Sequence, residues 1–221
     1  MGIISSIGNS VDENLVSLLN SKTAITTIEN ISTVHVDVIK VGEIKKTNQE
    51  LANELQLSED NNFSRTGMIG VFAAKEAVKN AGITSINEYK TGLISATSVG
   101  GMDMTERYYY DYFKNPEVVK YISSHNAGDI SDKIANELGL KGMVTTISTA
   151  CSSAANSIIY YNCCIHLSNI FSYYIFLYLP SFKELRKRCP ISLKDRRQCF
   201  TICIKSPAVW DTFPRKSGGS R

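Results

Sequence analysis

VTTISTACSSAANSI, residues 144–158, is the stretch whose reading decides the fold. Val144-Thr145-Thr146-Ile147 is a β-branched run with strand character. From Ala150 the residues are small and follow a helix-like pattern, predicting a strand over 143–148 and a helix over 152–160. Between them stands Cys151, alone among the first 160 residues in being a cysteine. A nucleophile at a strand-to-helix turn is the logic of the hydrolase elbow, here with sulfur in place of oxygen. Unpaired N–H groups at the helix start, and the positive end of its dipole, favour thiolate over thiol. The alanines and serines around it leave room for a substrate carbonyl. Taken alone, the residue also fits a second reading, a small buried cysteine filling a gap in the core.

Outward from this turn the chain alternates helices with single apolar strands. Ser10-Val11-Asp12-Glu13 reads as a capping box opening a helix with Leu15, Leu18 and Leu19 on its apolar face. Residues 23–45 are rich in Thr, Val and Ile and suggest extended segments joined by loop. Ser64 caps a helix apolar almost all round, with Gly82 closing it. Thr91 to Gly101 reads as a buried strand entering a glycine turn, SATSVGG at 95–101. A tyrosine-rich helix follows over 105–113 and another over 129–138, ended by Gly139. This order predicts an α/β fold with a covered sheet.

Two compositions meet near Tyr160. Residues 1–160 hold 13 Lys/Arg against 18 Asp/Glu, whereas residues 161–221 hold 11 against 3. The other five cysteines, Cys163, Cys164, Cys189, Cys199 and Cys203, all lie in the second stretch. Hydrophobic content of 43% with 20% charged residues is that of a soluble globular protein. The apolar run 165–179 falls short of the ~20 residues a membrane span needs and contains His166, Ser168, Asn169 and Ser172. No membrane span is therefore expected, and without an export signal the expected location is cytoplasmic, with the cysteines as thiols.

The ordered motifs resemble the N-terminal half of β-ketoacyl-[acyl-carrier-protein] synthases. Thr149-Ala150-Cys151-Ser152-Ser153-Ala154 is similar to the TACSS-type elbow of that family, preceded in order by SATSVGG and the helix that Ser64 caps. Met1-Gly2-Ile3-Ile4-Ser5-Ser6-Ile7-Gly8 is similar to the GMG-x-x-[ST]-x-x-G start, and Ser123-Ser124-His125-Asn126-Ala127-Gly128-Asp129 falls where the family has a like stretch. The resemblance covers residues 1–160. It implies a thiolase-like fold, here the incomplete N-terminal half of a duplicated αβαβα architecture. It also implies a fatty-acid or polyketide condensing enzyme and a homodimer.

The same resemblance implies the roles. Cys151 would accept an acyl group as a thioester from the phosphopantetheine of an acyl carrier protein, with no cofactor bound to the enzyme itself. Malonyl-carrier protein would lose carbon dioxide and attack that thioester. The backbone N–H of Cys151 would give one oxyanion donor, and residues 95–104 would lie near the acyl pocket and dimer contact. Family members also carry two histidines downstream of the cysteine, in H-[GA]-T and GH segments. The histidines here are His35, His125 and His166, none of them in that context. The expectation is a chain inactive in condensation, with a fragment or dimerisation partner of a full-length synthase as the alternative.

The tail, 161–221, is expected to be loop or disordered. A frameshift or misassigned gene end fits its abrupt change in charge, cysteine content and periodicity best. A nucleic-acid or anionic-lipid segment fits less well, because the basic residues are scattered and no groove-fitting helix stands out. Cys163, Cys164 and His166 cluster, but no paired C-x-x-C knuckles follow, so neither a metal nor a nucleic-acid partner is expected.

Overall fold

A computed structural model describes the backbone of residues 1–88, 90–167, 172–176 and 200–201, and the side chains of residues 1–88 and 91–161. The chain opens with a tight turn in which Ser5 and Gly8 form an antiparallel bridge. Helix α1 (Val11–Leu19) follows, capped by the Ser10 hydroxyl, which accepts the Glu13 N–H at 3.2 Å. The predicted box is displaced by one residue: the Glu13 carboxylate takes the Asn9 N–H at 2.7 Å. Glu76 instead serves the helix start, accepting the Val11 N–H at 2.9 Å. The predicted apolar face is also reversed. Leu15, Leu18 and Leu19 face outward, and Asn14 and Ser17 are the buried residues.

The extended segments expected over 23–45 form an antiparallel ribbon of β1 (Ile25–Thr27) and β2 (Lys40–Gly42). Just past β2, the buried Glu43 carboxylate accepts the N–H groups of Glu29 and Asn30 at 2.9 and 3.0 Å, closing the loop between them. Helix α2 (Asn48–Leu55), not assigned from the sequence, carries a complete capping box between Thr47 and Glu50. Helix α3 (Arg65–Asn80) is capped by the Ser64 hydroxyl, which accepts the Gly67 N–H at 3.0 Å. It is buried on several sides, as its composition predicts, with Met68, Ile69, Val71, Ala73, Ala74 and Ala77 all in the core.

The apolar strand before the glycine turn is β3 (Lys90–Ala96). After it come α4 (Met102–Tyr112), the short α5 (Val119–Ile122), α6 (Ala127–Glu137), β4 (Val144–Ile147) and α7 (Ser153–Leu167). β5 (Ser172–Phe176) and β6 (Phe200–Thr201) complete a four-stranded parallel sheet in the order β4-β3-β5-β6. β3 is a central strand, pairing Leu93 with Val144 on one side and with Ile175 on the other. A parallel sheet needs cover on both faces. Leu93 joins the core of α3 and α6 on one face, and Ile94 packs with Ile147, Ile158 and Tyr161 on the other. Leu51, Val71, Leu93, Ile130 and Ile134 are fully buried, each stabilising by about 1.5–3 kcal/mol.

The helix expected over 152–160 continues past Tyr160. α7 runs on to Leu167, and residues 172–176 and 200–201, expected as loop, are strands of the sheet. The change in composition thus starts inside α7. Residues 177–199 and 202–221, with Lys183, Arg186, Lys187, Arg188 and Cys189, Cys199 and Cys203, lie outside the described residues. Among the described residues no helix is long and apolar enough to cross a membrane.

Candidate active site

Two pairs of motif residues explain how the site is held. Gly2 lies against α3 so closely that a Cβ there would stand 1.9 Å from the Ala73 carbonyl oxygen. Only glycine fits that approach. Gly101, ending SATSVGG, is enclosed in the same way, a Cβ meeting the Ser124 carbonyl and the Ser64 side chain at 2.8 Å. Its N–H donates to the Ser124 carbonyl at 3.0 Å, and the Ser124 hydroxyl donates back to the Gly101 carbonyl at 3.0 Å. The SATSVGG turn and the SSHNAGD stretch, far apart in sequence, thus form one packed corner.

Cys151 stands where the sequence predicts, between β4 and α7, in a single 3-10 turn over Ala150–Ser152. The thiol is free and exposed, and does not fill a gap in the core. Ala150, just before it, has φ 51°, a left-handed conformation that costs a side-chain-bearing residue energy. Such strain persists only where the surroundings over-determine it, and here they do. The Thr149 N–H donates to the Ser153 hydroxyl at 2.8 Å, and the Ser98 hydroxyl donates to the Ala150 carbonyl at 3.1 Å. The Ser153 hydroxyl, 3% exposed, lies within donating distance of the Thr97 carbonyl at 3.0 Å and the Ala150 carbonyl at 2.7 Å. On the outer side, Asn156 Nδ2 donates to Thr149 Oγ1 at 2.8 Å, and the Ser152 hydroxyl donates to the Thr149 carbonyl at 2.7 Å.

The elbow and the end of β3 are therefore one hydrogen-bonded unit. The Thr97 N–H extends the sheet to the Ile147 carbonyl at 3.2 Å, and Thr97 Oγ1 accepts the Gly100 N–H at 3.0 Å. Residues 142–160 include no Asp, Glu, Lys, Arg or His, and the hydrogen bonds of the turn are made by hydroxyl, amide and peptide groups. Sequence reasoning singled out Cys151 and missed Ser98, Ser153 and Asn156 as the frame of its turn. The only signal was the density of hydroxyl residues in both motifs.

His35 and His125 are exposed, and among the described residues no hydrogen bond joins either imidazole to residues 149–153. The side chains of Cys163, Cys164 and His166 lie outside the described residues, though α7 carries their backbone. Among the described residues no group of three or more His, Cys, Asp or Glu side chains is placed to hold a metal.

A family profile described as "Beta-ketoacyl synthase, N-terminal domain" matches residues 1–164, the elbow included. The chain belongs to the beta-ketoacyl synthase family. A 3-oxoacyl-[acyl-carrier-protein] synthase 2 of Staphylococcus aureus is 29% identical over 164 residues, covering 72% of this chain and 40% of that protein. The enzyme of the same name from Vibrio harveyi is 23% identical over 163 residues, covering 72% of this chain and 39% of its own. This chain thus spans about two fifths of the length of these relatives. Among solved structures, the ishigamide ketosynthase/chain length factor matches with TM-score 0.63 at 25% identity, over 76% of this chain and 43% of that one. A ketosynthase from module 6 of the bacillaene synthase of Bacillus subtilis 168 shares the fold, with TM-score 0.53 and 18% identity over 84% of this chain and 31% of that one. The synthase reading of the fold, α/β and thiolase-like with the N-terminal half represented, is borne out.

Proposed function

We propose that Cys151 is the acyl-accepting nucleophile of a β-ketoacyl-acyl-carrier-protein synthase. The observation that carries this is the elbow: an exposed, unbridged thiol held at the tip of a strained strand-to-helix turn. The sulfur attacks the thioester carbonyl of an acyl group on the phosphopantetheine arm of a carrier protein. The new C–S bond forms to Cys151, the old one breaks, and the pantetheine thiol leaves. The Cys151 N–H, at the start of the helical turn, stabilises the oxyanion while it lasts. No cofactor beyond the carrier-borne arm takes part, and the reaction belongs to the cytoplasm.

Condensation, in which malonyl-carrier protein loses carbon dioxide and its carbanion displaces the Cys151 thioester, needs groups that promote decarboxylation. The family places histidines there, and among the described residues no hydrogen bond joins the imidazole of His35 or His125 to residues 149–153. Self-acylation of Cys151 is therefore the step that the elbow itself supports. A second reading, a non-catalytic partner of a full-length synthase or a homodimer subunit, is favoured by a separate observation. α1 exposes Leu15, Val16, Leu18 and Leu19, and α4 exposes Tyr109, Tyr110 and Tyr112, apolar surface suited to cover by another polypeptide.

Intact mass after incubation with an acylated carrier protein separates the two. The expected result is one acyl adduct, absent from Cys151→Ala. Absence of any adduct on the wild-type chain overturns the acyl-acceptor reading and leaves the partner reading.

A further inference from the structure

We propose that Ser153 and Ser98 are positioning residues, a two-hydroxyl latch that holds Ala150 in its left-handed conformation and thereby keeps the Cys151 thiol at the tip of the elbow. The inference rests on Cys151 being the reactive group, but its geometry stands apart from any substrate.

The argument is one of hydrogen-bond accounting. Ser153 has a single hydroxyl proton and two carbonyls within reach, those of Thr97 and Ala150. Its oxygen is already an acceptor for the Thr149 N–H at 2.8 Å. Thr97 is buried, so its carbonyl needs a donor more than a solvated one would. Ser98 resolves the competition: by donating to the Ala150 carbonyl at 3.1 Å, it frees the Ser153 proton for Thr97. The peptide after Ala150 is pinned through the Ala150 carbonyl. The one before it is pinned through the Thr149 carbonyl, which accepts the Ser152 N–H at 3.2 Å and the Ser152 hydroxyl at 2.7 Å. Ser153 fixes the Thr149 backbone behind that peptide through the Thr149 N–H. With both pinned, φ at Ala150 cannot relax from 51° to the ordinary negative range. Without the latch it relaxes, and the thiol leaves its exposed position.

This makes a prediction that a merely structural role for Ser153 does not share. Glycine takes positive φ without strain, so Ala150→Gly dispenses with the need for a latch. The experiment uses the full chain and follows alkylation of Cys151 by iodoacetamide through the mass of its peptide. The cysteine peptides of the tail, in the same digest, serve as internal references. Ser153→Ala is expected to slow Cys151 alkylation about tenfold and Ser98→Ala about threefold, while Ala150→Gly stays within about twofold of the wild type. The double variant Ser153→Ala/Ala150→Gly is expected to recover most of the loss. Unchanged alkylation in both serine variants overturns the latch, as does a Ser153→Ala loss that Ala150→Gly fails to rescue. Should Ser153→Ala fail to fold, Ser98→Ala alone and combined with Ala150→Gly decides in the same way. Acyl transfer from the carrier protein is measured alongside. If no acyl adduct forms on any variant but alkylation follows the stated pattern, the acyl-acceptor reading fails and the latch survives.

Discussion

Helices α1 and α3 both begin at a serine cap and both carry a majority of apolar residues on one side, yet they bury opposite kinds of side chain. α3 turns Met68, Val71 and Ala74 inward. α1 turns Asn14 and Ser17 inward and leaves Leu19 75% exposed. The difference lies in what each helix is attached to. α3 packs on α2 and α6 over the sheet, where an apolar face finds apolar partners. α1 lies against the backbone of its own N-terminal turn, where the open groups are carbonyls. Asn14 Nδ2 donates to the Gly8 carbonyl at 2.9 Å, and the Ser17 hydroxyl donates to the Ile7 carbonyl at 2.7 Å. A buried carbonyl left without a donor is costly, so the polar residues win the inner face.

The comparison breaks most visibly at α3. Met68 is 4% exposed within the main core, and Met68→Ala leaves a cavity between α3 and its neighbours. The expected loss is about 2–5 kcal/mol, read as a fall in the denaturant midpoint with an unchanged slope. A loss under about 1 kcal/mol would show that this core relaxes around the cavity and that α3 does not anchor the fold.

At α1 the sensitive position is polar. Asn14→Ala removes the donor to the Gly8 and Ser10 carbonyls and the partner of the Ser5 hydroxyl. The expected cost is about 1–3 kcal/mol, from buried groups left unpaired. Asn14→Leu, which adds apolar volume facing the same carbonyls, is expected to do no better. Stabilisation by leucine at this position would refute the polar-anchor account.

These two helices also mark how far the sequence could be read. The all-round apolar composition of α3 and the alternation of helices with single apolar strands specify their own burial, so the α/β fold is legible from local pattern. The thiol at the elbow was legible for the same reason, since strand, cysteine and small-residue helix are contiguous. α2 could have been found, because Thr47-Asn48-Gln49-Glu50 spells a capping box. The inward face of α1 could not, because its periodicity shows leucines on one side and gives no sign of the carbonyls opposite. Nor could the role of Ser153 be read, since Thr97, the carbonyl it reaches, is 56 residues away. Hydroxyls carry no periodic signal, and only the folded chain shows which of them meet.

Between a core anchor and a polar anchor stands a third kind, a surface ion pair. Asp60 accepts from Lys120 Nζ at 2.6 Å and from the Tyr121 hydroxyl at 2.9 Å, and Tyr121 stacks on Tyr108 at 4.4 Å. The Lys120 hydrogen bond, then that of Tyr121, holds the Asp60 carboxyl below its ordinary 3.8. Lys120 is in turn held above its ordinary 10.5, chiefly by the Asp60 hydrogen bond. A lowered acid contributes stability above its unfolded value and loses it as pH falls through the folded one. A raised lysine contributes below its unfolded value and loses it as pH rises through the folded one. The contact between the 58–62 loop and α5 is therefore constant from about pH 4 to about pH 10 and weakens outside that window. Being exposed, it is expected to move the local ring signals of Tyr108 and Tyr121 on acidification with little change in global stability. In Asp60→Asn those ring signals should be flat below pH 4. An unchanged titration in that variant would assign the effect to another acid.

The smallest effect on stability is expected at the outer face of α1. Leu18 is well exposed and makes no part of either core cluster, so Leu18→Ser should stay within about 0.5 kcal/mol of the wild type. Its effect belongs to association instead. Leu15, Val16, Leu18 and Leu19 together present a continuous apolar strip to water, and such strips favour contact with other polypeptide surface. Leu18→Ser combined with Leu19→Ser should reduce binding of an apolar fluorescent dye and lower the weight-average mass seen in sedimentation, at an unchanged unfolding midpoint. If the midpoint falls with the dye signal, the leucines are packed in solution and the inversion of α1 is wrong. If neither moves, the strip is inert and the partner reading must rest on α4 alone.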